Sequence, residues 1–276
     1  MNSLEVSNLQ IWDRHTGRVI VPDSSFRVKQ GSCLALVGES GSGKSLTCKA
    51  IMRLNKAGLS QSGDIVLDGS PLSQLSEKEM RAIRGKRLCM IMQNGMRAFD
   101  PSCVVGVPIR ETLSRHFGWS RDEIAARMAE AMTSVMLRDP IGIMNRYPHE
   151  LSGGMLQRIM IALAIVLEPD IVIADEPTTA LDTIAQFETI EQLIRLRART
   201  GCSMIVVSHD MAVVRRVADD MVVMKDGVIV EAGPVRKLQS DARHEYTRRL
   251  LGAKLALQQH FQAVMGGDSF VDRNRR

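Results

Sequence analysis

The sequence predicts an α/β fold, in which a parallel sheet covered by helices on both faces is joined by a small antiparallel β layer and interrupted by a helical insertion. Three observations carry this. The runs CLALVG at 33–38, LCMIMQ at 88–93, IVIAD at 171–175 and MIVVSHD at 204–210 are almost wholly apolar, as strands buried on both faces are. Shorter β-like runs bounded by Gly, Asp, Ser or Pro stand around the first of them: LEVSNLQIW at 4–12, RVIVPDSSFRV at 18–28 and GDIVLDG at 63–69. From Gln93 to Leu151 no strong strand pattern occurs, and RETLSRHFGW and RDEIAARMAEAMTSVML read as amphipathic helices.

In order along the chain, two β-like runs precede the apolar strand at 33–38, and SLTCKAIMRL then reads as a helix. The run at 63–69 completes the antiparallel layer, the strand at 88–93 ends in Gln93, and the helical insertion follows. LQRIMIALAIVL reads as a helix leading to the strand at 171–175, and the strand at 204–210 comes next. In MVVMKDGVIVEAG at 221–233, Asp226-Gly227 between apolar runs predicts a tight hairpin. The tail ARHEYTRRLLGAKLALQQHFQAV reads as helical and DSFVDRNRR as a frayed end. The boundaries are then a domain over 1–251, with its core at 1–94 and 156–235 and a helical subdomain at about 95–155, followed by a helical extension at 236–276.

A chain of 276 residues can bury one large core. The apolar run from Ile159 to Leu167 ends at Glu168, far short of the ~20 residues a membrane-spanning helix needs. The start MNSLEVSNLQIW lacks the basic and apolar regions of a secretory signal, so a cytosolic setting is expected. The five cysteines, at 33, 48, 89, 103 and 202, include no C-x-x-C pair and read as reduced packing residues. The net charge of +5 is spread along the chain rather than clustered, which argues against a nucleic-acid partner. Most of the 17 methionines lie in apolar segments and read as core.

Residues Gly38, Glu39, Ser40, Gly41, Ser42, Gly43, Lys44 and Ser45 fit G-x-x-x-x-G-K-[ST], with a strand before and a helix after. Glycines let backbone N–H groups close around a phosphate, and the following helix turns its N-terminus to the same anion. Lys44 is placed to reach the β- and γ-phosphates of a nucleotide, and Ser45 to ligate Mg²⁺. In IVIADEP an apolar strand carries Asp175 and Glu176 to its end, where α/β sheets place ligands. Asp175 is the candidate for the metal and Glu176 for the base that deprotonates an attacking water.

Ser152, Gly153 and Gly154 of LSGGM precede a helical run and form a second anion-binding helix N-terminus. If the insertion holds the two loops apart, one nucleotide cannot use both, and the second loop serves the nucleotide of another subunit. His209 and Gln93 each follow an apolar strand; His209 is a candidate to contact the γ-phosphate and Glu176, and Gln93 to contact Mg²⁺ or water. Trp12 has a ring suited either to stacking on adenine or to packing.

Together these residues resemble the nucleotide-binding subunits of ATP-binding-cassette transporters, from Leu4 to about Leu251. The resemblance implies a RecA-like P-loop NTPase core with an antiparallel β subdomain and an inserted α-helical subdomain, and ATP with Mg²⁺ as cofactors. It maps the Walker A loop onto 38–45, the Q-loop onto Gln93, the signature onto 151–155, the Walker B pair onto Asp175 and Glu176, the D-loop onto Ala180-Leu181-Asp182 and the switch histidine onto His209. The adenine-stacking aromatic maps onto Trp12. It further implies a head-to-tail pairing with a second ATPase subunit, two integral-membrane permease subunits, a periplasmic or extracellular solute-binding protein, and a peripheral position on the cytoplasmic face of the inner membrane.

SGGMLQRIMIALA, IADEPTTALD and HEYTRRLL are similar to the peptide and nickel importer group, and IMQNGMRAFDP with Leu156 resembles its nickel and metal-chelate members. Met155 stands where Gln is commoner and Gly95 where Pro is usual, and the tail lacks the cysteine cluster of some peptide-importing relatives. An oligopeptide or dipeptide importer is the alternative, with an exporter or DNA-repair ATPase behind it. The repair and chromosome relatives carry long coiled-coil insertions or two cassettes, whereas the interval from Ser45 to Leu151 holds one modest helical subdomain.

Overall fold

A computed structural model describes residues 2–93, 95–179 and 181–252. Strands β1 (Asn2–Asp13) and β2 (Val19–Lys29) pair antiparallel and lead into β3 (Cys33–Val37), which feeds the loop before α1 (Lys44–Ile51). Strands β4 (Leu59–Leu67) and β5 (Ser70–Pro71) complete the antiparallel layer, and α2 (Glu77–Ile83) leads to β6 (Leu88–Ile91). Four helices follow, with no strand among the described residues: α3 (Gly95–Ala98), α4 (Gly106–Phe117), α5 (Arg121–Ser134) and α6 (Pro140–Met144). Then come α7 (Gly153–Leu167), β7 (Ile171–Asp175), α8 (Thr183–Thr200), β8 (Ser203–Val207) and α9 (Met211–Val217). Strands β9 (Asp220–Lys225) and β10 (Val228–Pro234) precede α10 (Val235–Ser240), and residues 245–252 are helical. The tail beyond 252, with its helical and frayed expectations, lies outside the described residues.

The strands run in the order β5-β4-β1-β2-β10-β9-β3-β8-β7-β6, and the section β9-β3-β8-β7-β6 is parallel throughout. Alternate side chains of the parallel strands go to opposite faces. Val172, Ala174, Met204 and Val206 join the core shared with the helical insertion and α7, while Ile171, Ile173, Ile205 and Val207 join the core under the antiparallel layer and α1. This double burial is why the four runs carry no polar alternation. Cys33, Cys48, Cys89 and Cys202 are buried free thiols, and burial pushes Cys33 and Cys89 up to about 12. No helix among the described residues is long and apolar enough to cross a membrane.

Helix starts are set by local chemistry. Ser76 and Ser120 form capping boxes with Glu79 and Glu123 at the heads of α2 and α5, and Asp182 caps α8. At the expected hairpin, Asp226 and Gly227 both take positive φ (49° and 81°), the conformation a two-residue turn between twisted strands requires. At one strand the difference from the sequence reading has a specific cause: Gly63 does not open its strand but lies inside β4. Its φ is +100°, and a Cβ there would stand 2.4 Å from the carbonyl oxygen of Asn8, where the β1–β4 register shifts. The glycine marks a bulge, which local composition does not distinguish from a strand end.

Candidate active site

The C-terminal ends of β3, β7 and β8 lie side by side, and the loops leaving them converge. The loop 38–45 wraps its own lysine. Lys44 is buried, and its Nζ donates to the carbonyls of Gly38 (3.0 Å) and Glu39 (2.7 Å) and to Ser42 Oγ (3.1 Å). Burial lowers the Lys44 pKa, against the opposing pull of the Glu176 and Asp175 carboxylates. The ammonium therefore rests on neutral acceptors that phosphate oxygens, being charged, would outcompete. No side chain caps the N-terminus of α1, so its first-turn N–H groups stay available to an anion.

Asp175, the last residue of β7, is 5% exposed and accepts a hydrogen bond from Ser45 Oγ at 2.8 Å. Burial raises its pKa; the Ser45 bond and the charges of Lys49 and Lys44 work in the other direction. One residue on, Glu176 takes φ +49°, an uncommon value for a non-glycine residue, while its backbone N–H donates to the Val207 carbonyl at 3.0 Å. Its Oε2 accepts from Thr179 Oγ1 (3.0 Å) and stands 2.8 Å from His209 Nδ1. His209 lies two residues past the end of β8 and Gln93 two past the end of β6. Residues of the loop 38–45, Gln93, Glu176, Thr179 and His209 line one cavity of about 500 Å³.

Other expected ligands are not brought there by the same chain. Ser152 is the N-cap of α7, accepting from the Met155 N–H at 3.2 Å, and neither it nor Gly153 or Gly154 lines the cavity. Gly154 instead faces Leu181 and Ala185 of its own chain. Asp182 spends its carboxylate on the N–H groups of Ile184 (3.0 Å) and Ala185 (2.9 Å); Ala180, two residues before it, is outside the described residues. Trp12 is half-buried on β1, paired with Val19 and Ser60, and is also away from the cavity lining. Two contacts were missed by sequence reasoning. Thr179 was within reach of it, being three residues after Glu176 in the same polar run. Tyr246, whose Oη accepts the Glu39 N–H at 2.9 Å, comes from the far end of the chain, and no spacing announces it.

The family model described as ABC transporter matches residues 21–179. The metal-staphylopine import system ATP-binding protein CntD of Staphylococcus aureus is 45% identical over 268 residues, which cover 97% of this chain and 99% of that protein. The oligopeptide transport ATP-binding protein OppD of Bacillus subtilis is 41% identical over 259 residues, covering 92% of this chain and 72% of that one. Among solved structures, the dimeric post-hydrolysis state of the ATP-binding cassette MJ0796 bound to ADP and Pi matches with a TM-score of 0.74 at 26% identity, covering 84% of this chain and 99% of that chain.

Proposed function

The chain belongs to the ABC transporter family of ATPases, and from that premise we propose that it drives the uptake of nickel or a metal chelate through a partner permease. The nucleotide chemistry rests on one observation: Glu176 Oε2 and His209 Nδ1, 2.8 Å apart, share a cavity with the phosphate loop. Lys44 and the first turn of α1 hold the β- and γ-phosphates of ATP. Glu176 takes the proton of the water that attacks the γ-phosphate, and His209 and Thr179 hold its carboxylate in place. The phosphate leaves as inorganic phosphate and ADP remains on the loop.

The donor set fits Mg²⁺. Ser45 Oγ and Asp175 Oδ1 are hard oxygen donors 2.8 Å apart, and Gln93 lines the same cavity as Ser45. Among the described residues no group of three or more His, Cys, Asp or Glu could hold a metal ion. A hydroxyl with one carboxylate is the kind of set that shares Mg²⁺ with phosphates and water. When bound, the ion would neutralise developing charge on the phosphate oxygens.

Ser152, Gly153, Gly154 and Asp182 lie outside their own chain's cavity lining, and we assign them to the nucleotide of a second cassette, either another copy or a homologous ATPase. MJ0796, bound to ADP and Pi, is a dimer, which supports this pairing. Trp12 follows Ile11, whose strand partner Val21 packs against Gly43, and is the aromatic we assign to adenine. The cassette pair would sit on the cytoplasmic face of the membrane beneath two permease subunits fed by a solute-binding protein. The metal reading is supported by the near full-length likeness to a metal-staphylopine importer ATPase, and the peptide alternative by the likeness to OppD. Uptake of radioactive nickel, free and chelated, and of a dipeptide, with and without this subunit, separates them. Loss of metal uptake alone supports the proposal, and loss of dipeptide uptake alone overturns it.

A further inference from the structure

The run HEYT at 244–247, which the sequence offers only as part of a helical tail and as a likeness, forms a chain of contacts that ends on the loop 38–45. Glu231 on β10 accepts the backbone N–H groups of Arg243 (2.8 Å) and His244 (3.2 Å). Burial would raise the Glu231 carboxyl, but the polar groups of 243–247 around it, those two N–H groups among them, outweigh it and hold its pKa below the ordinary value. His244 Nδ1 accepts the Tyr246 N–H at 3.1 Å, satisfying an amide in the first turn of the helix at 245–252. Tyr246 is 4% exposed and packs in the cluster that contains Ala35 and Val37 of β3. Its hydroxyl takes the Glu39 N–H at 2.9 Å.

That N–H belongs to the peptide unit joining Gly38 to Glu39, and the carbonyl of the same unit accepts Lys44 Nζ at 3.0 Å. A trans peptide is a rigid plane whose N–H and C=O point in opposite directions. Tyr246 and Lys44 therefore hold one plane from its two sides. Gly38 supplies no side chain to restrain it: its φ is +152°, and a Cβ would stand 2.1 Å from the Met224 carbonyl oxygen, so only glycine is tolerated. Once a phosphate draws Lys44 away from the Gly38 carbonyl, the tyrosine hydroxyl is the hold that keeps the plane from turning. An exposed ion pair from Arg249 to Glu39 (3.5 Å) ties the same two segments together.

The geometry points to Tyr246 as a positioning residue for the phosphate loop, and to residues 243–247 as a clasp through which the C-terminal segment sets the affinity for ATP. This rests on 38–45 being the nucleotide site. It goes beyond the transfer of the known motifs, since it gives the tail of the chain a direct hold on that site.

The test is titration of the purified full chain with a fluorescent ATP analogue, comparing wild type with Tyr246→Phe, which keeps the ring and deletes only the hydroxyl. Loss of one hydrogen bond is expected to raise Kd about threefold to tenfold. Steady-state ATPase assays of the assembled transporter should show kcat at saturating ATP within about twofold of wild type, because no group acting on the water has moved. Glu231→Ala, which touches neither loop nor nucleotide, should raise Kd in the same direction. Amide exchange of the peptide containing Glu39 reads the contact whatever happens to global stability, and should accelerate in Tyr246→Phe. An unchanged Kd, a lowered kcat with unchanged Kd, or unaltered exchange at Glu39 would overturn the clasp. Lys44→Ala serves as the control for the site itself: wild type that binds no more analogue than Lys44→Ala would overturn the nucleotide-site reading instead.

Discussion

Glu176 Oε2 and His209 Nδ1 stand 2.8 Å apart across the ends of two neighbouring parallel strands, β7 and β8. Glu176 stands one residue past its strand at φ +49°, and His209 stands two residues past the end of its own. Glu176→Gln keeps the shape and removes the proposed proton acceptor. The ATPase rate of the purified transporter should fall by about 10²- to 10⁴-fold with ATP binding retained. A normal rate would show that Glu176 is not the base.

His209→Ala leaves the proposed base in place and removes one of the side-chain contacts to its carboxylate, Thr179 supplying another. The expected loss is smaller, about tenfold to a hundredfold in kcat. The double variant with Glu176→Gln should be little worse than Glu176→Gln alone, because both act on the same proton transfer. Additive losses in steady-state assays would separate the two residues.

Gly95, a departure from relatives, and Leu156, a likeness to the nickel and metal-chelate members, stand far apart in the sequence, and the structure puts them in contact. A Cβ on Gly95 would stand 2.6 Å from Leu156 Cβ, and neither atom can swing aside because both are fixed to backbone. Gly95→Ala should push α3 off α7 at a cost of about 1–3 kcal/mol in urea unfolding. Leu156→Ala retains the Cβ and should not relieve it. A neutral Gly95→Ala would mean that α3 yields without cost.

At the head of α5, Ser120 and Glu123 cap one another: the Ser120 backbone N–H and side chain hold the exposed Glu123 carboxyl below its ordinary pKa. A carboxyl with a lowered folded-state pKa contributes stability that is present above the ordinary glutamate value and is lost as pH falls through the lowered one. The difference in unfolding midpoint between wild type and Glu123→Ala should therefore be largest near neutrality and shrink in acid. A difference independent of pH would remove the charged cap from the explanation.

The parallel strands, the hairpin at Asp226-Gly227 and the helical insertion were legible because each is written in local pattern. So were the strand–loop–helix setting of residues 38–45 and the strand that ends at Asp175, where residue type and strand context coincide. What the sequence did not disclose depends on closeness in space. Nothing in the surroundings of Gly63 reveals that Asn8 presses on it, and nothing near Tyr246 points back across the chain to Glu39. The bulge and the clasp are set by which strands meet, not by the order of residues.

Ser152 caps α7 and is not among the residues lining its own chain's proposed nucleotide cavity, and its proposed place at a second cassette has consequences that differ from those of a loop serving its own subunit. Photolabelling of this chain with an azido-ATP analogue in the assembled transporter, alongside the ATPase rate, measures both. With Ser152→Ala the label on this chain should stay within about twofold of wild type while hydrolysis falls at least about tenfold, and Lys44→Ala should remove the label. If Ser152→Ala strips the label from this chain, or leaves hydrolysis unchanged, the site is not shared between two subunits.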